Sequence, residues 1–567
     1  MGHLTRCTDG LCAIDSRQHP AGHRDDAFGV PVAHLVPVTG SDSVHTGGGG
    51  SAADHRDDIS DRLPKAPAIK NGHKIALIGA GCASLAVAND LLPLGYEVTI
   101  FEALDKTGGL MRTNIPQFRL PPKTLDEEIQ YILDMGVDLK LGHRINSFND
   151  FLEENTFDAV FVGSGAPKGK ELDLPGRFET NNVHIGIEWL ESVAFEHIES
   201  IGKKVLIIGV GNTAMDCCRS SLRMGAKEVK VMARKPRGFF KASDWELEDA
   251  EEENVEIIVN HSPKAFVIEN QKLVGMLFEE MEYQIDDQGN IDRGKVIREK
   301  IIHCDDVILA IGQDNAFPWI ERDIGIEFDK WDCPIVDETT MMSSRAGVFF
   351  GGDAAFGPKN IIWAVAHGHE AAISIHKHCS KEDLNDRLPP GMNLASQKMG
   401  MHEWSYSNDY DDSERRLMPH VDLKERFKQL DIEVELGFTL EQTIKEVERC
   451  LNCDVQTVFT AKLCIECDAC IDICPVDCLT ITDNGEEDEL RARLTVPAEN
   501  MEQDLYVSEA LPQTERVMVK DEDLCIHCSL CAERCPTGAW DMQKSTLLLP
   551  YANEEANSKI TNKASSN

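Results

Sequence analysis

No apolar run in this 567-residue chain approaches the ~18 residues a membrane-spanning helix needs. The first 26 residues carry Asp and His where a secretory leader would carry an apolar core. Neither a bilayer-spanning nor an exported protein is expected, and the expected compartment is the cytoplasm. Basic residues are also scarce, 57 Lys and Arg against 97 Asp and Glu, for a formal net charge of −40. A field of that sign repels nucleic acid and anionic membranes and favours partners with a basic docking face, unless it serves only to keep a large protein soluble. Signatures of a substrate-transforming domain are missing too: there is no amidotransferase, thiamine-diphosphate or molybdopterin pattern.

Cysteine is plentiful, with 19 in the chain. In a reducing compartment that points to metal sites and free thiols rather than disulfides. Eight of them form two runs of one pattern, C-x2-C-x2-C-x3-C-P: Cys464, Cys467, Cys470 and Cys474 before Pro475, then Cys525, Cys528, Cys531 and Cys535 before Pro536. This is the two-cluster ferredoxin spacing, in which the fourth cysteine of each run ligates the other cluster. Cys464, Cys467, Cys470 and Cys535 are thus expected to hold one four-iron cluster, and Cys525, Cys528, Cys531 and Cys474 the second. Structural zinc, which takes four ligands in two short pairs, fits the pattern poorly. The runs are separated by an acidic insert, Gly485 to Asp523, which either covers a cluster or docks a partner.

Upstream, Lys74-Ile-Ala-Leu-Ile-Gly-Ala-Gly-Cys-Ala-Ser84 reads as a strand entering a glycine turn, with a helix over Leu85–Leu92 and a second strand, Glu97–Phe101, ending at Glu102. In such a βαβ unit Gly79 permits the turn, Gly81 lets the backbone approach a pyrophosphate, and Ser84 keeps the helix close to the strand. Glu102 stands where a carboxylate holds ribose hydroxyls. The arrangement recurs about 130 residues later in Lys203 to Ala214, with Gly209 and Gly211 at the turn. After its second strand, Glu228–Ala233, come Arg234, Lys235 and Arg237, where an NAD-specific unit would place an acid. That basic cluster favours NADP(H) over NAD(H), a solvated loop being the alternative. A further strand, Gly347 to Asp353, ends in Gly-Asp ahead of a helix beginning near Asn360 to Trp363, and Asp353 is a candidate for a ribityl hydroxyl. Asp158–Gly165 and Asp306–Gly312 bracket the second unit like crossovers, so one nucleotide domain is expected inside another.

The fold expected is α/β, with two Rossmann-like dinucleotide-binding domains, one inserted in the other, and a small α+β ferredoxin-like domain. The expected divisions are an extended arm (1–70), a first nucleotide domain (71–195 and 305–380), a second (196–304), a helical linker (381–455), a two-cluster ferredoxin domain (456–545) and a polar tail (546–567). Cys450 and Cys453 in the linker, with Cys7 and Cys12 in the arm, are candidates for a third metal centre, free thiols being the alternative. Cys217 and Cys218 are adjacent, read as one core and one surface thiol, and do not form the C-x-x-C of a disulfide reductase.

The chain resembles the glutamate synthase small-subunit family of FAD- and NAD(P)-dependent oxidoreductases over roughly residues 72–380. The resemblance rests on Gly108 to Pro121 with Leu125-Asp-Glu-Glu-Ile after it, on Gly209 to Asp216, and on Gly352-Asp353 with Ala364, His367, Gly368 and Ala371. It implies FAD held by Gly79, Gly81, Glu102, Gly109, Leu110, Arg119 and Asp353. It implies NADPH held by Gly211, Asn212, Thr213, Arg234 and Lys235. The family's E-x-x-R-C-L-x-C string is normally N-terminal, and here the match, Glu446 to Cys453, follows the flavin region. The expected function is an electron-transfer subunit linking NADP(H), FAD and four-iron clusters to a catalytic partner of glutamate synthase or 2-oxoacid:ferredoxin oxidoreductase type, in a hetero-oligomer. A free-standing NAD(P)H:ferredoxin oxidoreductase is the alternative; a non-catalytic iron–sulfur scaffold is the alternative of another class.

Overall fold

The computed structural model describes residues 64–286, 291–387, 413–447, 455–501 and 503–550, with 449 and 552 and the backbone of 7–8, 11–12 and 391–396. β1 (Lys74–Ile78) is apolar and buried over its last four residues. It ends in the glycine turn, and α1 (Cys82–Leu91) starts there, three residues earlier than the sequence suggests, because Gly81 supplies an extended N-cap (φ −83°, ψ 177°). β2 (Glu97–Phe101), α2 (Pro122–Leu133), β3 (Asp138–Lys140) and β4 (Ala159–Val162) follow.

The chain then crosses to a second sheet: β5 (Val183–Ile185), β6 (Lys204–Ile208), α3 (Asn212–Arg223), β7 (Glu228–Met232), α4 (Asp244–Glu252) and β8 (Glu256–Ile258). An antiparallel flap of β9 (His261–Glu269), β10 (Lys272–Glu282) and β11 (Lys295–Ile302) intervenes before β12 (Asp306–Leu309). The chain returns with β13 (Val348–Phe350) and the long α5 (Ile361–Ser380).

Both nucleotide sheets are wholly parallel, ordered β13-β4-β1-β2-β3 and β8-β7-β6-β12-β5. Parallel strands covered on both faces carry continuous apolar runs, as β1, β4, β6 and β12 do. The second sheet takes Val183–Ile185 and Asp306–Leu309 from either side of its glycine motif, so this unit extends beyond residues 196–304. The two crossing segments pair antiparallel, Gln313 with Gly169 and Asp314 with Lys168. α1 and α5 pack closely because Gly368 has no side chain: a Cβ there would lie 2.5 Å from the Ala83 carbonyl oxygen and 2.7 Å from the Ala86 Cβ.

The segment after α5 lies across the nucleotide units. Val434 N–H donates to the Phe118 carbonyl (3.1 Å). Arg426 is bidentate on Glu252, both bonds 3.0 Å. In the ferredoxin region β14 (Val455–Phe459), β15 (Leu479–Thr482), β16 (Tyr506–Val507), β17 (Val517–Lys520) and β18 (Trp540–Leu548) form two small antiparallel sheets, β15-β17-β16 in one and β14 beside β18 in the other. The acidic insert has its own small core of Leu490, Leu505, Val517 and Val519. It also touches the first cysteine run: Glu466 accepts from Thr514 N–H (3.1 Å), Thr514 Oγ1 (2.6 Å) and Arg516 Nη2 (3.0 Å). No described helix is long and apolar enough to cross a membrane.

Candidate functional site

The topology sorts the eight paired cysteines into two chambers. One is lined by Cys464, Cys467, Cys470 and Cys535 with Phe459, Asp468 and Trp540. The other is lined by Cys474, Cys525, Cys528 and Cys531 with Thr457, Cys478 and Lys520. The fourth cysteine of each run thus faces the three of the other, as the crossed spacing requires. The short helices Ala469–Asp472 and Leu530–Arg534 turn each run, and left-handed residues precede them, Asp468 (φ 56°) and Ser529 (φ 61°). The donor sets fit a sulfur-ligated centre. Burial pushes the Cys470 thiol up to about 11, with the Trp540 indole acting in the opposite direction, and the buried indole nitrogen itself has no oxygen or nitrogen partner.

Cys478 was not singled out in the sequence. Its Sγ lies 3.5 Å from Cys474 Sγ, making a fifth thiol in the second chamber. Hydrogen bonding to it is the main influence pulling the Cys474 and Cys525 thiols below their ordinary value. The signal was present as C-P-V-D-C, one cysteine beyond the four the pattern counts. Cys450 and Cys453 lie outside the described residues. Cys7 and Cys12 are described only as backbone partners in a two-strand turn, so the third centre has no structural description.

At the first nucleotide turn, Gly79 is left-handed (φ +93°), and a Cβ there would sit 2.8 Å from the Gly163 carbonyl oxygen. Gly109 (φ +51°) opens the short helix Leu110–Thr113, and a Cβ on it would come 3.0 Å from Gly81 Cα. The turn is therefore closed by backbone from β4 and from residue 109, leaving no side chain in the cradle. The hydroxyls of Ser84 and Ser164 are buried there without partners, which fits a polar occupant. Glu102 accepts from Ala80 N–H (2.7 Å) and Leu104 N–H (2.8 Å), so it first organises the turn itself. Asp353 opens a one-turn helix behind Gly352 and accepts from Lys359 N–H (3.0 Å). Burial raises its carboxyl. Burial, and next the Asp353 charge, push the Cys82 thiol to about 11, so the Gly-Asp end lies beside the glycine turn. Burial also lowers His367 to about 4, with Lys359 adding to it.

Arg119 is placed elsewhere. It leaves the first unit and pairs with Asp216 (2.7 Å) and with Glu246, both on helices of the second. A further string of charges, Arg219, Arg223, Asp249 and Glu253, continues this network inside the second unit. The family resemblance implies that Arg119 is a cofactor contact because the string around it carries that resemblance; its carboxylate partners, 97 and 127 residues away, are visible only in three dimensions.

At the second turn a Cβ on Gly209 (φ +127°) would run into the Ala310 carbonyl, whereas Gly211 has nothing within 4 Å of that position. Asn212 begins α3 and its Oδ1 accepts from Ser243 N–H (3.0 Å), tying the approach to α4 to the turn. Thr213 follows it, half-buried. Arg234 and Lys235 are exposed at the end of β7 without a carboxylate partner among the described residues, while Arg237 pairs with Glu251. Cys217 and Cys218 are both fully buried, correcting the expectation that one is a surface thiol, because α3 is covered by the sheet on one side and by α4 and Trp189 on the other.

Two parallel sheets with glycine turns, followed by two thiol chambers, define an oxidoreductase of the flavin and nicotinamide class with an iron–sulfur module. Residues 73–368 match the pyridine nucleotide-disulphide oxidoreductase family, and residues 463–539 match the 4Fe-4S dicluster domain. The chain belongs to the pyridine nucleotide-disulphide oxidoreductase family. It is 34% identical over 393 residues to the NADP(+)-dependent formate dehydrogenase subunit beta of Moorella thermoacetica, covering 68% of this chain and 55% of that one. It is 31% identical over 438 residues to the NADPH-Fe(3+) oxidoreductase subunit beta of Geobacter sulfurreducens, covering 69% and 62%. With the glutamate synthase [NADPH] small chain of Azospirillum brasilense the figures are 30% over 338 residues, 56% and 68%. The chain therefore spans somewhat over half the length of the first two relatives.

Proposed function

We propose that this chain is an electron-transfer subunit passing electrons between NADP(H), FAD and two four-iron clusters, to or from a catalytic partner subunit. The observation that carries it is the presence, in one chain, of two glycine-turn cradles and two cysteine-lined chambers. Bound FAD would exchange a hydride with the nicotinamide and single electrons with the clusters, chemistry that belongs to the cofactors.

The protein's part is to hold and separate them. Gly79, Gly81, Gly109 and Leu110 would present backbone to the FAD pyrophosphate, Ser84 keeping the helix close to the strand, with Glu102 and Asp353 as candidates to hold its sugar and ribityl hydroxyls. Gly209, Gly211, Asn212 and Thr213 do the same for NADP(H). Arg234 and Lys235 supply positive charge for a 2′-phosphate, which supports NADP(H) over NAD(H). Arg119 is assigned to joining the two units. The subunit role is supported by the relatives, each named as a beta subunit or small chain.

The test is an anaerobic NADPH titration of the purified protein, followed by visible absorbance and low-temperature EPR. The expected result is bleaching of a flavin band with the appearance of reduced-cluster signals, and co-purification with a larger subunit. A flavin band that NADPH leaves untouched overturns the reading.

A further inference from the structure

The two chambers differ in their charge and in their exposure. The first lies at the surface: Cys467 and Asp468 are exposed, with Leu463 and Ile465 exposed beside them. The cysteines of the second are more deeply buried, Cys525 being 7% exposed and Cys474, Cys528 and Cys531 half-buried, and a lysine forms part of its wall. Lys520 ends β17 and is 1% exposed, its neighbour across the ladder being Leu479 of β15. Its ammonium donates to Thr457 Oγ1 on β14 (2.7 Å) and pairs with Glu522 (2.8 Å), a carboxylate that is 30% exposed. Strands from both small sheets therefore pin one cation in the wall of the chamber that Cys525 and Cys531 also line. Among the described residues no lysine or arginine lines the first chamber.

A buried ammonium is costly unless something nearby is negative. Glu522 alone is a poor reason for burying it, since that carboxylate remains partly in water. The thiolate-ligated centre is the larger negative charge. Adding an electron to such a centre increases its negative charge by one and needs no proton, and a low-dielectric wall opposes that step. A fixed cation in the wall offsets the opposition.

We propose that Lys520 is a tuning residue for the second cluster: it holds the reduction potential of the centre ligated by Cys474, Cys525, Cys528 and Cys531 above the value its burial alone would set, so that the more buried cluster can still take an electron. This rests on the reading of the chambers as four-iron sites. Hydrogen bonds, net charge and exposure are the protein's means of setting such potentials, and here charge acts against exposure.

The experiment is an EPR-monitored redox titration of the full-length protein and its variants, with iron and sulfide counted per chain. Lys520→Met keeps the stem and removes the charge, and it is expected to lower the midpoint of one cluster signal while leaving the other unmoved. Lys520→Arg keeps the midpoint near wild type. Glu522→Gln removes the counter-charge and raises the midpoint of the same signal. Should Lys520→Met fail to assemble, Glu522→Gln decides alone: a rise supports the proposal and an unmoved midpoint overturns it. Full iron with unmoved midpoints, or equal shifts of both signals, overturns the tuning role. Absence of four-iron signals in the wild-type protein overturns the cluster reading beneath it instead.

Discussion

Arg119 joins the two nucleotide units by placing its guanidinium on Asp216, 2.7 Å away and 8% exposed. The same guanidinium meets Glu246, 2% exposed. Burial raises both carboxyls even with Arg119 present, so the arginine is what makes two buried acids tolerable side by side. Arg119→Ala leaves them facing each other, and breaking a buried pair by removing one partner costs about 3–5 kcal/mol. With the guanidinium 29% exposed, a loss near about 3 kcal/mol is expected. Chemical denaturation monitored by flavin and tryptophan fluorescence checks it. Unchanged stability together with lost flavin would return Arg119 to the cofactor site.

The two glycines of the second turn should respond differently. Gly209→Ala meets the Ala310 carbonyl in a left-handed backbone and is expected to destabilise the unit by more than about 1–3 kcal/mol, the usual cost of overpacking. Gly211 has an ordinary extended conformation (φ −102°) and open space ahead of it. Gly211→Ala should therefore melt like wild type while NADPH affinity falls at least tenfold, because the added methyl enters the space left for the ligand. Equal loss of stability in both variants would sink this division of roles.

The glycine turns, the cysteine runs and the β7 basic cluster were all readable from the sequence, since each is a local pattern whose spacing carries its own physics. Arg119, Lys520 and Cys478 were not. An ion pair across 97 residues has no local period, a buried lysine at a strand end looks like any exposed one, and a fifth thiol is invisible to a pattern that counts four. The membership of β5 and β12 in the second sheet was also hidden, because short buried strands do not announce their neighbours.

Arg234 and Lys235 should separate the two nicotinamide cofactors. Both stand exposed at the end of β7, and among the described residues neither is paired with a carboxylate, whereas Arg237 is. Replacing both with Ala is expected to raise the KM for NADPH tenfold or more and to leave that for NADH within about twofold, since only the former carries a 2′-phosphate. Loss of both activities in parallel would show the pair to be structural.

Cys478 offers a check on the ligand assignment. Its thiol is 3.5 Å from Cys474, but only Cys474 belongs to the C-P run. Cys478→Ala should keep the full iron content and both EPR signals. Loss of one cluster in that variant would make Cys478, not Cys474, the fourth ligand of the second chamber.

His367 on α5 should give the protein an acid-sensitive term. Burial first, then Lys359, takes its folded pKa from 6.5 to about 4. A depressed histidine favours the neutral folded form, so its contribution is fully present above pH 6.5 and is lost as the pH falls toward 4, where the unfolded chain protonates and the folded one does not. Between pH 7.5 and pH 5 the linkage amounts to roughly 2 kcal/mol, an upper value because some solvent reaches the ring. His367→Gln should remove that difference, leaving a stability curve that changes less over the same interval. Denaturant melts of both proteins at the two pH values measure it directly; parallel losses in wild type and variant would mean that other groups carry the acid response.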